Sequence, residues 1–136
     1  MHHYISRRAL EDYVLACRDP EERRWKVRHL REIIGFVHKY EKFRYYLTDV
    51  DNGFNFLLKF SKAGNAAEWV FFYSHDLFLM QGQLSDQLIG FYTGNKVLVE
   101  QFKKDTDIVK SHVLDEYRDP ASLERFILEL AEKAAG

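Results

Sequence analysis

Six histidines and a single cysteine are the side chains from which a metal site or a nucleophile could be built. Their spacing suits neither. His29, His38 and His112 each lack a second ligand at the short spacing that metal sites use. His2-His3 offers at most an opportunistic site at the start of the chain. His75-Asp76 is a dipeptide able to ligate a metal, but it falls between strand-like runs and lacks further ligands on helices. Cys17 lies on the apolar stripe of a helix, where cysteine acts as a small core residue. Being alone, it permits no internal disulfide and no thiolate cluster. No Gly-x-Ser-x-Gly elbow and no phosphate-cradling glycine loop occurs. The carboxylates do not stand isolated among apolar residues, the setting that raises a pKa for acid catalysis. The expectation is a protein that is not an enzyme, with no metal and no cofactor.

The chemistry that does stand out is charge on one side of a helix. Pro20–Phe43 reads as one long helix. At about 100° per residue, Val27, Leu30, Ile33, Ile34, Val37 and Tyr40 fall on one side, widened by Trp25, Phe36 and Phe43. Arg24, Arg28, Arg31, Lys39 and Lys42 gather on the other, with His38 and Gly35 among them. These five cations are the expected partner-binding residues, facing an acidic protein or a nucleic-acid backbone. A solvated face is the commoner fate of such a charge run, and pairing with the acidic C-terminal helices is a third reading. Arg24 and His29 also match the loose Arg-x4-His spacing of an all-helical ribonuclease family, whose fold lacks the strands expected here.

Composition narrows the partners. The net charge of −1 leaves no polycationic bias toward nucleic acid, so nucleic acid ranks behind protein. No stretch approaches the roughly 18 apolar residues of a membrane span, and the first residues have no secretory-signal core. A cytoplasmic protein without membrane contact is expected, and a homodimer is compatible with the sequence. The aromatic content of 15% is high, and most of it lies between Tyr40 and Tyr92. Tyr45, Trp69, Tyr73 and Tyr92 are the expected ligand-binding residues if those aromatics enclose a pocket. If they do not, they are core.

The positioning elements follow from local signals. Ser6–Cys17 reads as a short helix capped by Ser6. Asp19-Pro20 with Glu22 is a strong start for the long helix. Strand-type residues run over Phe43–Thr48, and Asp51-Asn52-Gly53 is a hairpin turn leading to a half-buried strand over Phe54–Ser61. Lys62–Ala67 is a loop. Trp69–Tyr73, apolar on both faces, is the expected central strand. Leu77–Met80 and Gln87–Thr93 complete about five strands. Asn95 caps a helical part that is either one helix or two, with Thr106 the cap of the second, and Asp119-Pro120 starts the last helix. Residues 1–136 read as one α+β domain: an N-terminal helical hairpin, a mainly antiparallel sheet and C-terminal helices.

Within this order, WVFFYSHDLFLMQG followed by LIGFYTGNKVLVEQF, spanning Trp69–Phe102, resembles the C-terminal end of effector-sensing domains in bacterial transcription regulators. The resemblance implies a sensing or protein-binding module whose DNA-reading part is absent or lies on another chain. The expected function is a non-enzymatic regulatory or interaction module that binds a protein partner or a small effector. An inhibitor or immunity-type protein with one target is the first alternative. A nucleic-acid binder using the basic helix is the second.

Overall fold

The computed structural model describes residues 1–51, 55–61, 63–64, 66–74 and 89–136, and of residues 55, 73, 74, 89 and 90 the backbone only. The chain is α+β, with four α-helices and two small sheets among the described residues. The sheets have two and three strands, not the single sheet of about five that was expected. The chain divides into two compact units, Met1–Asp51 with Val109–Gly136, and Asn52–Ile108.

The first unit opens with β1 (His2–Ser6), α1 (Arg7–Leu15), α2 (Pro20–Lys39) and β2 (Arg44–Thr48). β1 and β2 pair in parallel, from His2 opposite Arg44 to Ser6 opposite Thr48. The hairpin expected between Phe43–Thr48 and the next strand is therefore corrected: β2 pairs with β1, a strand the sequence reading did not include. Parallel pairing needs a long crossover, and the two helices between β1 and β2 supply it. The two leading histidines hide an alternating pattern in which Ile5 packs on the core and the His2 ring lies tilted against Tyr46 at 5.8 Å.

Local chemistry sets the helix starts. The Ser6 hydroxyl accepts from Ala9 N at 3.2 Å and donates to Asp51. Asp19 accepts from Glu22 N at 2.8 Å, with Pro20 in the first turn. Asp119 repeats this arrangement, accepting from Ser122 N at 3.1 Å ahead of the C-terminal helix Pro120–Ala135. α2 stops at Lys39, one turn before the expected end, and Tyr40 closes it by donating to Phe36 O at 3.0 Å. Leu10 and Val14 of α1, Val27, Leu30, Ile33 and Ile34 of α2, Leu47 of β2, and Leu123, Ile127, Leu130, Ala131 and Ala134 of the C-terminal helix form one core. Burying each large aliphatic side chain stabilises the fold by about 1.5–3 kcal/mol.

In the second unit β3 (Asn55–Lys59), β4 (Trp69–Ser74) and β5 (Ile89–Thr93) form an antiparallel sheet with β4 central, as its apolar sequence implied. Gly64, at φ +68°, takes the left-handed conformation in the loop between β3 and β4. Helix α3 (Lys96–Ser111) starts at Asn95, whose side chain accepts from Val97 N at 3.0 Å and Leu98 N at 3.2 Å. Phe102 of α3 packs its ring 4.9 Å from Phe56 and 4.7 Å from Phe72. Thr106 does not divide the helix; its hydroxyl donates back to Phe102 O at 2.8 Å. Val109–Ser111, the end of α3, count with the first unit. The C-terminal helix Pro120–Ala135 is α4, preceded by a 3-10 turn at Asp115–Tyr117. The expected strand Leu77–Met80, the turn residues Asn52 and Gly53, and His75-Asp76 lie outside the described residues.

Candidate interaction surface

α2 is anchored at its start from both sides. Arg23 Nε donates to Cys17 O at 3.1 Å, tying the α1–α2 link to the first turn of α2. Lys26 pairs with Glu22 at 2.7 Å, and the hydrogen bond from its ammonium holds the Glu22 carboxyl below its ordinary range. Cys17 is buried, and its thiol lies 3.5 Å from Asp19 O. The inward side of the helix is then fixed by Val27, Leu30, Ile33 and Ile34.

The outward side carries the expected cations. Arg24, Arg28, Arg31 and Lys39 are exposed on α2, and Lys42 is exposed in the turn after it, not on the helix. Arg28 pairs with Glu32 of its own helix at 3.2 Å. Among the described residues, Arg24, Arg31, Lys39 and Lys42 have no carboxylate within salt-bridge distance, and the Lys39 ammonium sits 5.2 Å from the Tyr40 ring centroid. The acidic C-terminal helix reaches this side at one place, where Glu124 Oε2 meets His38 Nε2 at 2.7 Å. That contact engages the histidine and none of the five cations.

Beside the cations runs a ridge that helical periodicity misplaced. Trp25, Phe36 and Tyr40 were assigned to the apolar side, yet they are 60%, 47% and 46% exposed. Trp25 and Phe36 lie roughly 130–150° from the centre of that side and Tyr40, the C-cap, roughly 90°, where the helix turns out of the core. Trp25 stacks on His29 at 5.5 Å and Phe36 on Tyr40 at 5.8 Å, so the rings form an ordered stripe along the helix. Periodicity counted these edge positions with the apolar side, and their distance from its centre was the signal that could have corrected that. His29 also bonds the Tyr13 hydroxyl through Nδ1 at 3.1 Å. Five residues apart on a helix, Arg24 and His29 point about 140° away from each other, so the ribonuclease-type spacing does not bring them to one site.

The four expected ligand residues divide between the units. Tyr45, on β2, packs against the core of the first unit, and burial raises its phenol pKa well above the ordinary value. Trp69, Tyr73 and Tyr92 belong to the second unit, and the side chain of Tyr73 lies outside the described set. Register places Phe71 opposite Tyr92 and Trp69 opposite Lys59. Tyr92 is 74% exposed, so it presents an open strand face. In the first unit a cleft of about 220 Å³ lies among Val37, Phe43, Arg44, Tyr45, Tyr46, Arg118, Pro120 and Leu123. The two arginines in it were not singled out from the sequence, since one opens a strand and the other belongs to a helix-start link.

Among the described residues no group of three histidine, cysteine or acidic side chains is placed to hold a metal ion, and no helix is long and apolar enough to cross a membrane. Comparison with family models, curated proteins and solved structures finds no match.

Proposed function

We propose that the protein is a non-enzymatic interaction module that docks an acidic protein partner on the outer side of α2. The observation that carries this reading is the juxtaposition, along α2 and the turn after it, of exposed cations, four of them without a carboxylate partner among the described residues, and an exposed aromatic stripe. Tryptophan, tyrosine and arginine dominate the energetics of protein interfaces because they bury large area and leave few polar groups unpaired. A purely solvated helix has no use for Trp25 or Phe36 in water. The cations steer an acidic surface to the helix and fix its register, while the rings supply the apolar contact.

A single-target inhibitor or immunity-type protein is a special case of this reading. A nucleic-acid backbone would use the arginines but would draw less on a domain whose net charge is −1. The cytoplasm is the compartment that suits a lone unpaired cysteine.

The test is co-purification of the tagged chain with its partner from the native host, followed by titration of that partner in isolation. Wild type is expected to bind it in near-equal amounts, and the triple change Arg24→Glu, Arg28→Glu, Arg31→Glu to abolish binding with the fold intact by circular dichroism. Trp25→Ala alone should weaken it by about tenfold or more, the loss of one interface anchor. Binding left unchanged by the triple change would overturn the proposal, and recovery of nucleic acid in place of protein would replace it.

A further inference from the structure

A second site stands apart from the outer side of α2. The cleft among α2, β2 and the start of α4 is lined by the apolar residues Val37, Phe43, Pro120 and Leu123 and by Arg44 and Arg118. Both arginines are exposed. Arg118 donates through Nε to Asp115 at 2.8 Å, which leaves its two terminal nitrogens. Arg44 has no carboxylate partner among the described residues, and its backbone N–H is already used by Met1 O at 2.9 Å. Glu124, on the residue after Leu123, is turned to His38 at 2.7 Å. Burial raises the phenol pKa of Tyr4, Tyr46 of the cleft lining raises it further, and the Arg118 charge opposes both. Tyr4 and Tyr46 stack at 5.0 Å.

We infer that this cleft binds a small organic carboxylate. Two arginines in the lining of one concavity suit a planar anion, because a guanidinium presents paired N–H donors that match carboxylate geometry. The apolar lining residues suit a compact hydrocarbon or aromatic body, which a bare inorganic anion lacks. A volume of about 220 Å³ is below the roughly 300–1,000 Å³ of sites for drug-sized ligands. The ligand is therefore of the size of an amino-acid-derived or aromatic acid. The site gives the interaction module a means of sensing a metabolite, and it stands whether or not the outer side of α2 binds a protein.

Phenylacetate is the probe, with 2-phenylacetamide as its uncharged counterpart and inorganic phosphate as an anion without an apolar body. Each is titrated into the full chain, following amide resonances of Arg44–Tyr46 and the Arg118 side-chain N–H by two-dimensional NMR. Phenylacetate is expected to give saturable shifts confined to the cleft, and the amide and phosphate to bind at least tenfold more weakly. Arg44→Gln and Arg118→Gln should each weaken phenylacetate about ten- to a hundredfold, the loss of hydrogen bonds to a charged group. Thermal melts of both variants establish that they fold. Equal binding of acid and amide, equal binding of phosphate, shifts spread over the surface without saturation, or folded variants that bind like wild type would each overturn the inference.

Discussion

His3, near the start of β1, is half-buried. Its Nε2 is buried with no hydrogen-bond partner among the described residues, and its ring lies 4.9 Å from Phe43 and 6.0 Å from Tyr45. Burial lowers its pKa, and the nearby N-terminal ammonium lowers it further. Because the folded state disfavours the proton, the unfolded chain binds more protons below the ordinary histidine value. The contribution of His3 to stability is thus fully present above about pH 6.5 and is lost as pH falls toward the folded-state pKa. His3→Phe removes both the orphaned nitrogen and the titration. Its melting temperature relative to wild type should rise as pH is lowered from 7.5 to 5. A difference constant across that range would show that His3 does not titrate against folding. Glu68 follows the acid rule in the second unit. The hydrogen bond from Lys103, whose Nζ lies 2.8 Å away, holds its carboxyl below the ordinary range, so that pair favours the fold above pH 4.5 and fades as the carboxyl protonates.

At the scale of elements, α2 was the most legible part of the chain because its signals are local. Asp19, Pro20 and Glu22 act within one turn, and Val27, Leu30, Ile33 and Ile34 repeat at helical spacing. The parallel partnership of β1 with β2 was not legible, because it joins His2 to Arg44 across two helices and no short-range pattern encodes it. The cleft escaped for the same reason, since Val37, Arg44 and Arg118 meet only after three elements pack. Two substitutions test the helix itself. Leu30→Ala, at a fully buried position, should cost about 2–5 kcal/mol in denaturant unfolding. A cost below 1 kcal/mol would mean that α2 does not seat on the core as described. Gly35 has open space where a Cβ would lie. Gly35→Ala should therefore stabilise the fold by about 0.5–1 kcal/mol. If a partner's backbone approaches at Gly35, the same methyl group weakens docking while raising the melting temperature, and loss of stability would contradict the helical geometry assigned to it.

At the scale of the whole molecule, the chain combines two compact units with different surfaces. The first offers the cationic and aromatic side of α2 and the arginine cleft. The second offers a sheet whose Val70 is fully buried while Leu57, Phe91 and Tyr92 are exposed. Composition foretold the abundance of aromatics but not their division between core and surface, because Phe36 and Ile34 differ in helical angle far more than in hydropathy. The charge balance likewise concealed the local asymmetry, since acids on other segments cancel the arginines of α2 in the net value of −1. Function in this account rests on that asymmetry and not on a reaction.

Site-specific photocrosslinking in the native host tests it most directly. A benzophenone side chain replaces Trp25, Arg28 or Phe36 in turn, and Arg8 on the exposed side of α1 serves as the control. The account predicts one crosslinked protein from the three α2 positions and none from Arg8. Crosslinking from Arg8 alone, equal labelling from all four positions, or no adduct from α2 would contradict the claim that this helix is the docking surface.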